Sequence, residues 1–300
     1  MIDFYDRVNT AIKEACGQET WPGYYLIRGD EFKNLFLSIK SHDIGKTLEV
    51  GCGNGFFSYL VSSVSSTVIA TDLYCKDPKS HTVGMDNARQ LISKIGGKNI
   101  SLCACSGESL PFKDDVFDLV FSSYTLQYIK DRQFVLNELK RVVKKDGEIV
   151  LVLPNFTERV YSFFQYYVYF MVKAIKMVFK KIYGKKISRD NNAKNHSFDI
   201  KKFKEDYKYF PFPGPHGAYK NSFIEMISHM PHRWNAEFKR AGLKLNSSFT
   251  TVFVPYPLIL TISYRLACNM LFLSKKITQF LGTKPFIKYF GYNYCVVLKK

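Results

Sequence analysis

The sequence predicts an α/β fold, a mostly parallel sheet covered by helices on both faces, and three observations predict it. Short apolar runs alternate with amphipathic segments between residues 47 and 153. Strands separated by helices of that length need crossovers, which makes neighbouring strands parallel. The first run ends in a glycine cluster, Gly51-Cys52-Gly53-Asn54-Gly55, that enters a helix. Asp72 closes the second run, 21 residues after Gly51.

Taken in order, the first 45 residues read as two helical stretches. The second runs from about Asp30 to Ser41, where Phe32, Leu35, Phe36 and Ile39 share a face. A strand is expected at Thr47–Gly51, a helix at Phe56–Val64, a strand at Thr67–Asp72 and a helix at Met85–Ile95. Strands follow at Ile100–Ala104 and Val116–Ser122, then a helix at Arg132–Val143. The turn Lys145-Asp146-Gly147 leads into a strand at Glu148–Leu153.

After Pro154 the composition changes, with ten aromatic residues between positions 156 and 183. A helix over Tyr161–Tyr183 carries Lys173, Lys176 and Lys180 on one face, continued by Tyr169, Gln165 and Ser162. Its other side holds Phe163, Phe164, Tyr167, Phe170, Met171, Ile175, Val178 and Ile182. That pattern suits both a helix lying in a membrane interface and a helix packed on a core. Lys185–Gly217 reads as a long loop, punctuated by Pro211, Pro213, Gly214 and Pro215. A helix at Arg233–Ala241 ends on Gly242, and a strand follows at Leu243–Val254. An apolar helix pair is expected from Pro257 to about Leu281, and a last strand at Tyr292–Leu298. Residues 252–273 approach spanning length, but Pro255, Pro257, Arg265 and Asn269 argue against a transmembrane helix. The chain therefore divides into an N-terminal helical cap (1–45), a core (46–154) and a basic, aromatic cover that supplies the last strands (155–300).

The net charge of +17 is unevenly placed. Residues 1–150 hold 18 Lys/Arg against 19 Asp/Glu, whereas residues 151–300 hold 25 against 7. The second half faces something negative: nucleic acid, an anionic membrane or a phosphorylated substrate. Seven scattered cysteines, with no CxxC pair and no His cluster at zinc spacing, predict neither a disulfide framework nor a metal site. With no basic-then-apolar leader at the start, a cytoplasmic setting is expected, including the inner face of a membrane.

Glycines let a ligand approach the backbone, and a helix N-terminus supplies N–H groups suited to a carboxylate. Asp72 ends the second strand, where a carboxylate reaches ribose hydroxyls. A dinucleotide fingerprint would place its third glycine at position 56, which is Phe56, so that reading fails. The segments Glu49–Gly55, Ala70-Thr71-Asp72-Leu73, Ser106–Val120 and Ser122–Ile129, in that order and spacing, resemble the class I S-adenosylmethionine-dependent methyltransferases. The likeness is strongest to their small-molecule and lipid branch, the methyltransferase type 11 kind. It runs from Thr47 to Leu153 and returns at Gly291–Lys300, similar to the family's final antiparallel strand.

The resemblance implies a Rossmann-like, mostly parallel seven-stranded sheet, with helical insertions in the C-terminal half. It implies S-adenosylmethionine as cofactor, with Gly51 and Gly53 approaching its methionine portion and Glu49, Cys52 and Gly55 completing the loop. Asp72 is expected at the ribose, Leu73 on the adenine face, Ser106 and Gly107 along the adenine edge, and Ser122 near the methionyl amino group. Many relatives carry Asp where Ser106 stands, so the adenine contact there is weaker or comes from backbone.

Methyl transfer relies on in-line approach and a shaped cavity, so no obligatory catalytic residue is legible. Tyr124, after the fourth strand, and His216, in Pro213-Gly214-Pro215-His216-Gly217, are the leading acceptor-side residues, with His229 and His232 as further candidate bases. The expected activity is methyl transfer to a small-molecule or lipid-linked acceptor, at O, N or C, at an anionic membrane surface. The alternatives are an RNA methyltransferase using the basic half as a phosphate footprint, and a non-catalytic S-adenosylmethionine-binding partner protein.

Overall fold

In the computed structural model, the residues described are 28–29, 31–32, 35, 44–73, 85–187, 211–251, 273, 276–277, 280, 284 and 286–300. Segments of seven or eight residues with buried apolar positions such as Leu48, Val50, Val68, Ala70, Leu119 and Phe121 form the central strands β1 (Ile44–Val50), β2 (Ser65–Asp72) and β4 (Phe117–Ser123). β3 (Ile100–Ala104) borders β2, and β5 (Val143–Pro154) borders β4. The chain ends with β6 (Lys244–Thr251) and β7 (Asn293–Lys299). The seven strands are ordered β3-β2-β1-β4-β5-β7-β6. The first four pairings in that row are parallel, and β7 runs antiparallel between β5 and β6. This is the seven-stranded, mostly parallel α/β sheet expected.

Because parallel strands are buried on both faces, alternate residues serve two cores. Val150 and Val152 of β5 and Cys295 and Val297 of β7 pack with Phe56, Phe57, Leu60 and Phe121 on one side. Ile149, Leu151 and Leu153 of β5, with Tyr294, Val296 and Leu298 of β7, face Leu136, Leu139, Trp234 and Phe238 on the other. Phe32 and Leu35, both helical, belong to the first core, as their helical spacing predicts. Phe36 and Ile39 lie outside the described residues, as does most of the helix pair expected between Pro257 and Leu281.

The helices are α1 (Phe56–Ser62), α2 (Met85–Ile95), α3 (Arg132–Val142), α4 (Phe156–Ile187), α5 (Ser222–Ser228) and α6 (Pro231–Arg240). Asp131 caps α3 by accepting from the Gln133 N–H, 3.1 Å. Gly242, at φ 69°, closes α6: its N–H reaches the Lys239 carbonyl at 3.0 Å and Leu243 N–H the Phe238 carbonyl at 2.9 Å.

Two expectations shift. The turn expected at residues 145–147 is absorbed into β5 as an irregularity in its pairing with β4, where Phe117 faces Val143 and Leu119 faces Glu148. α4 is longer at both ends than the expected Tyr161–Tyr183, because Asn155 accepts from the Phe156 N–H and starts the helix directly after β5.

Leu139 is wholly buried between α3 and the sheet. Leu139→Ala should lower unfolding free energy by about 2–5 kcal/mol, read from the midpoint of urea denaturation.

Candidate functional site

β1 ends at Val50, and the next five residues turn into α1. Gly51, Gly53 and Gly55 have φ of 80°, 52° and 79°, in the left-handed region that suits glycine. At Gly51 an added Cβ would stand 2.0 Å from the Thr125 Oγ1, whereas at Gly53 it would meet nothing within 4 Å. The loop therefore rests against the turn after β4 at Gly51 and faces open space at Gly53.

Asp72 fixes the loop from the end of β2. Its Oδ2 accepts from the Gly53 N–H and its Oδ1 from the Leu73 N–H, both 2.7 Å. Each oxygen keeps a lone pair, so the carboxylate can also take two hydroxyl donors. Burial raises its pKa against those two bonds. Beneath the loop Glu49 is buried, accepts from the Ser58 hydroxyl, and is pushed by burial up to about 8. Thr71 Oγ1 donates to the Glu49 carbonyl at 2.8 Å, and Ser122 Oγ donates to the Val50 carbonyl at 2.7 Å. Cys52 is buried with Ala70, Ala88 and Ile92, and burial pushes its thiol pKa up.

Beyond β3 lie Ser106 and Gly107. The Ser106 Oγ accepts from the Glu108 N–H at 3.2 Å, and Gly107 passes so close to Val50 that a Cβ would stand 3.0 Å from its Cγ1. The segment is held by Glu138 and Arg141 of α3: Glu138 accepts from the Leu110 N–H, and Arg141 donates to the carbonyls of Leu110 and Phe112. Leu73 is 58% exposed beside the loop.

On the other side of β4, Tyr124 sits at φ 55°, uncommon for a bulky residue. Its hydroxyl donates to the Asn293 Oδ1 at the start of β7. The Arg28 guanidinium lies 4.6 Å over the Phe57 ring and 4.7 Å over the Tyr124 ring, and bonds Ser123 and Glu31. Glu31 accepts from Asn293 Nδ2, and burial raises its pKa to about 7 although Arg28 opposes the shift. This buried network joins the N-terminal helical residues to the ends of β4 and β7.

A second network holds residues 213–219 across the turn at Leu126–Tyr128. Arg159, in the first turns of α4, is fully buried and pairs with Glu225 of α5 at 3.1 Å. It also reaches the His216 Nδ1 at 2.5 Å and the Gly214 carbonyl at 3.0 Å. The His216 N–H donates to Glu225, Ala218 N–H donates to the Gln127 carbonyl at 3.1 Å, and Gly217 packs against that carbonyl. His229 is buried against Trp234, and burial lowers its pKa to about 3, so it stays neutral.

The structure thus gathers Glu49, Gly51, Cys52, Gly53, Gly55, Asp72 and Ser122 around the end of β1, with Ser106 and Gly107 beside them. Tyr124 directly follows β4, and His216 lies in the segment that precedes α5, within two separate networks. Sequence reasoning missed Thr125, Arg28, Glu31, Asn293, Arg159 and Glu225. Thr125 and Asn293 fall within segments that carry the resemblance; Arg28 and Glu31 stand three residues apart, but the Asn293 that completes their network and the Arg159–Glu225 pair join positions far apart in the chain. Among the described residues, no group of three or more His, Cys, Asp or Glu could hold a metal ion.

A family model described as a methyltransferase domain matches residues 48–151. The chain is 25% identical over 194 residues to a demethylmenaquinone methyltransferase of Anoxybacillus flavithermus, covering 60% of this chain and 71% of that protein. It is 34% identical over 126 residues to a tRNA U34 carboxymethyltransferase of Ruthia magnifica, covering 41% and 37%. It is 30% identical over 146 residues to a ubiquinone/menaquinone biosynthesis C-methyltransferase of Desulfotalea psychrophila, covering 46% and 54%. The last two matches span about half or less of the relatives' own lengths.

Gly51→Ala should both strain the backbone and push Thr125 off the loop, with a loss of about 1–3 kcal/mol in unfolding free energy, measured by urea denaturation. Glu49 is protonated when folded at neutral pH and ionised when unfolded, so the stability it contributes is full below about pH 4.5 and lost as pH rises through about 8. Glu49→Gln, which cannot ionise, should flatten the fall of the urea midpoint between those pH values.

Proposed function

We propose that residues 48–151, which match a methyltransferase domain, form an S-adenosylmethionine-binding core of the class I kind, and that the chain transfers a methyl group to a small, apolar or lipid-linked acceptor at a membrane surface. One observation carries the reading: a carboxylate held by two backbone N–H groups at the end of β2, beside a glycine loop that faces open space at Gly53. That arrangement fits the cofactor, with hydroxyl acceptors on one side and backbone clearance on the other. When bound, S-adenosylmethionine supplies an electrophilic methyl group on a sulfonium.

The residues take the following parts. Asp72 accepts from the ribose hydroxyls through the lone pairs left by its two backbone bonds. Gly51 and Gly53 admit the methionine portion, while Glu49, Cys52 and Gly55 keep the loop in shape from beneath. Ser122, its own proton given to Val50, offers oxygen lone pairs to the methionyl ammonium. Leu73 covers one face of the adenine, and Ser106 and Gly107 border its edge.

On the acceptor side Tyr124 forms a wall, fixed by Asn293 and by the guanidinium over its ring. His216 is a positioning group rather than a base in this arrangement. A guanidinium can only donate, so the Nδ1 facing Arg159 accepts, and the neutral ring then carries its proton on Nε2. An acceptor that is methylated at carbon needs no strong base at the moment of transfer, which suits a described site in which His216 accepts from Arg159. One relative is a demethylmenaquinone methyltransferase and another a ubiquinone/menaquinone biosynthesis C-methyltransferase. A quinone-like ring with an apolar tail is therefore the acceptor class we favour. The tRNA enzyme among the relatives, with the basic second half, supports RNA as the second reading.

S-adenosylmethionine binding, followed by calorimetry, should weaken about 10–100-fold in Asp72→Ala, the loss expected for hydrogen bonds to a charged group. With labelled cofactor, methyl transfer to a demethylated quinol in detergent and none to total tRNA is the expected result. Transfer to tRNA alone would replace this reading with the second one.

A further inference from the structure

α4 leaves the sheet directly after β5, at the same edge as the candidate site, and carries an apolar stripe that is exposed among the described residues. Phe164 is 64% exposed and Met171 56%; Tyr167, Val168, Val172, Ile175 and Val178 are exposed as well. At 100° per residue these positions occupy one side of the helix over four turns. α5 packs on α4 and widens the stripe. The Phe223 ring lies 5.7 Å from the Phe163 ring and 4.9 Å from the Phe212 ring, and Phe212, Phe223, Ile224 and Ile227 are themselves exposed. Single exposed apolar residues need no explanation, but a contiguous face across two helices marks an interaction surface.

Charge selects the occupant. Residues 173–187 of α4 contain six lysines and no acidic residue. A second copy of this chain would bring the same cations together, in a protein of net charge +17. RNA would meet the lysines but leave an aliphatic stripe of Val, Met and Ile with no base-stacking use. An anionic bilayer satisfies both features, apolar side chains entering the acyl boundary and ammonium groups meeting phosphate. No helix among the described residues is long and apolar enough to cross a membrane, so the helix pair would lie along the surface.

We infer that the face built by α4, α5 and Phe212 docks the protein on an anionic lipid bilayer and presents the acceptor edge of the sheet to it. The inference rests on the methyltransferase reading for its purpose and on this face for its chemistry. Phe212 belongs to the face, and the residues that follow it, Pro213 to Tyr219, are those pinned over Gln127 by Arg159 and Glu225. A lipophilic acceptor leaving the bilayer at this face would reach the ends of β4 and β5 without crossing water.

The test is flotation of the full chain with phosphatidylcholine vesicles containing about a third phosphatidylglycerol, with S-adenosylmethionine binding measured separately by calorimetry. The chain should float, and raising NaCl from about 0.1 M to about 0.5 M should weaken binding. Met171→Glu/Ile175→Glu should reduce the bound fraction about ten-fold while leaving cofactor binding unchanged, because both side chains are exposed and distant in sequence from the loop. Arg89→Glu, on exposed α2, should float as the parent does. Hydrogen exchange on vesicles should slow at residues 156–172 and 211–228 and be unaltered in α2. Failure to float, flotation of the double variant like the parent, or binding of RNA or dimerisation abolished by the same variant without any flotation would each overturn the inference. Flotation without cofactor binding would instead overturn the methyltransferase reading and leave the docking face standing.

Discussion

The bond from the Gly53 N–H to the Asp72 carboxylate joins the ends of two parallel strands, and the loop between β1 and α1 takes its shape around it. Strands β1 and β2 run in register from Lys46 opposite Thr67 to Val50 opposite Thr71, so their C-terminal ends arrive together. The backbone then leaves the ladder at a point where donors would otherwise need water or a side chain. Asp72 meets that need at Gly53 and Leu73, while Thr71 gives its carbonyl to the N–H groups of Gly51 and Cys52. A loop fixed by one carboxylate is stiff on the sheet side and open on the other, which is what a ligand-binding loop requires. The same bonds work against the burial that raises the pKa of Asp72, so structure and binding chemistry meet in one group.

Around that loop the molecule places two buried ionic networks, and both lie at the C-terminal ends of β4 and β5. Arg28 with Glu31, and Arg159 with Glu225, are each nearly or wholly removed from solvent. Buried pairs are poor sources of stability, because desolvation offsets much of the attraction, but losing one partner costs about 3–5 kcal/mol. Their value lies in direction. Arg28 locks Tyr124 between a stacked guanidinium and the Asn293 amide, and Arg159 fixes the orientation of the His216 ring. Apolar packing alone would hold these side chains in place but would not set which atom each one presents.

Legibility from sequence followed the range of the interactions. The strands, the glycine loop and the C-cap at Gly242 depend on residues within a few positions of one another, and the alternation in 47–153 and the left-handed φ at Gly51, Gly53 and Gly242 answer to them. α4 was legible as a helix, but its periodicity suited two opposite environments; only the exposure of Phe164, Met171 and Val178 shows that this side is not packed away. The turn at 145–147 misled because Asp-Gly favours turns, whereas pairing with β4 draws the whole segment into β5. The networks were invisible for a different reason. Glu31 meets Asn293 and Arg159 meets Glu225, separations that no local pattern encodes.

The two halves of the chain divide the work by charge as well as by fold. Residues 1–150 are close to neutral and supply the loop, Asp72 and several of the helices that bury the sheet, a setting that suits recognition of a charged ligand by fixed dipoles and one carboxylate. Residues 151–300 carry nearly all the excess cation, yet the strands they contribute, β6 and β7, close the same sheet and share its cores. Since β7 lies between β5 and β6, the basic half cannot separate from the cofactor half without opening the sheet. The described basic residues of β6 and β7, such as Lys244 and Lys299, are thereby held in the same sheet as Asp72. The sheet order, through β6 and β7, is what joins the described part of the second half to the loop and Asp72 of the first.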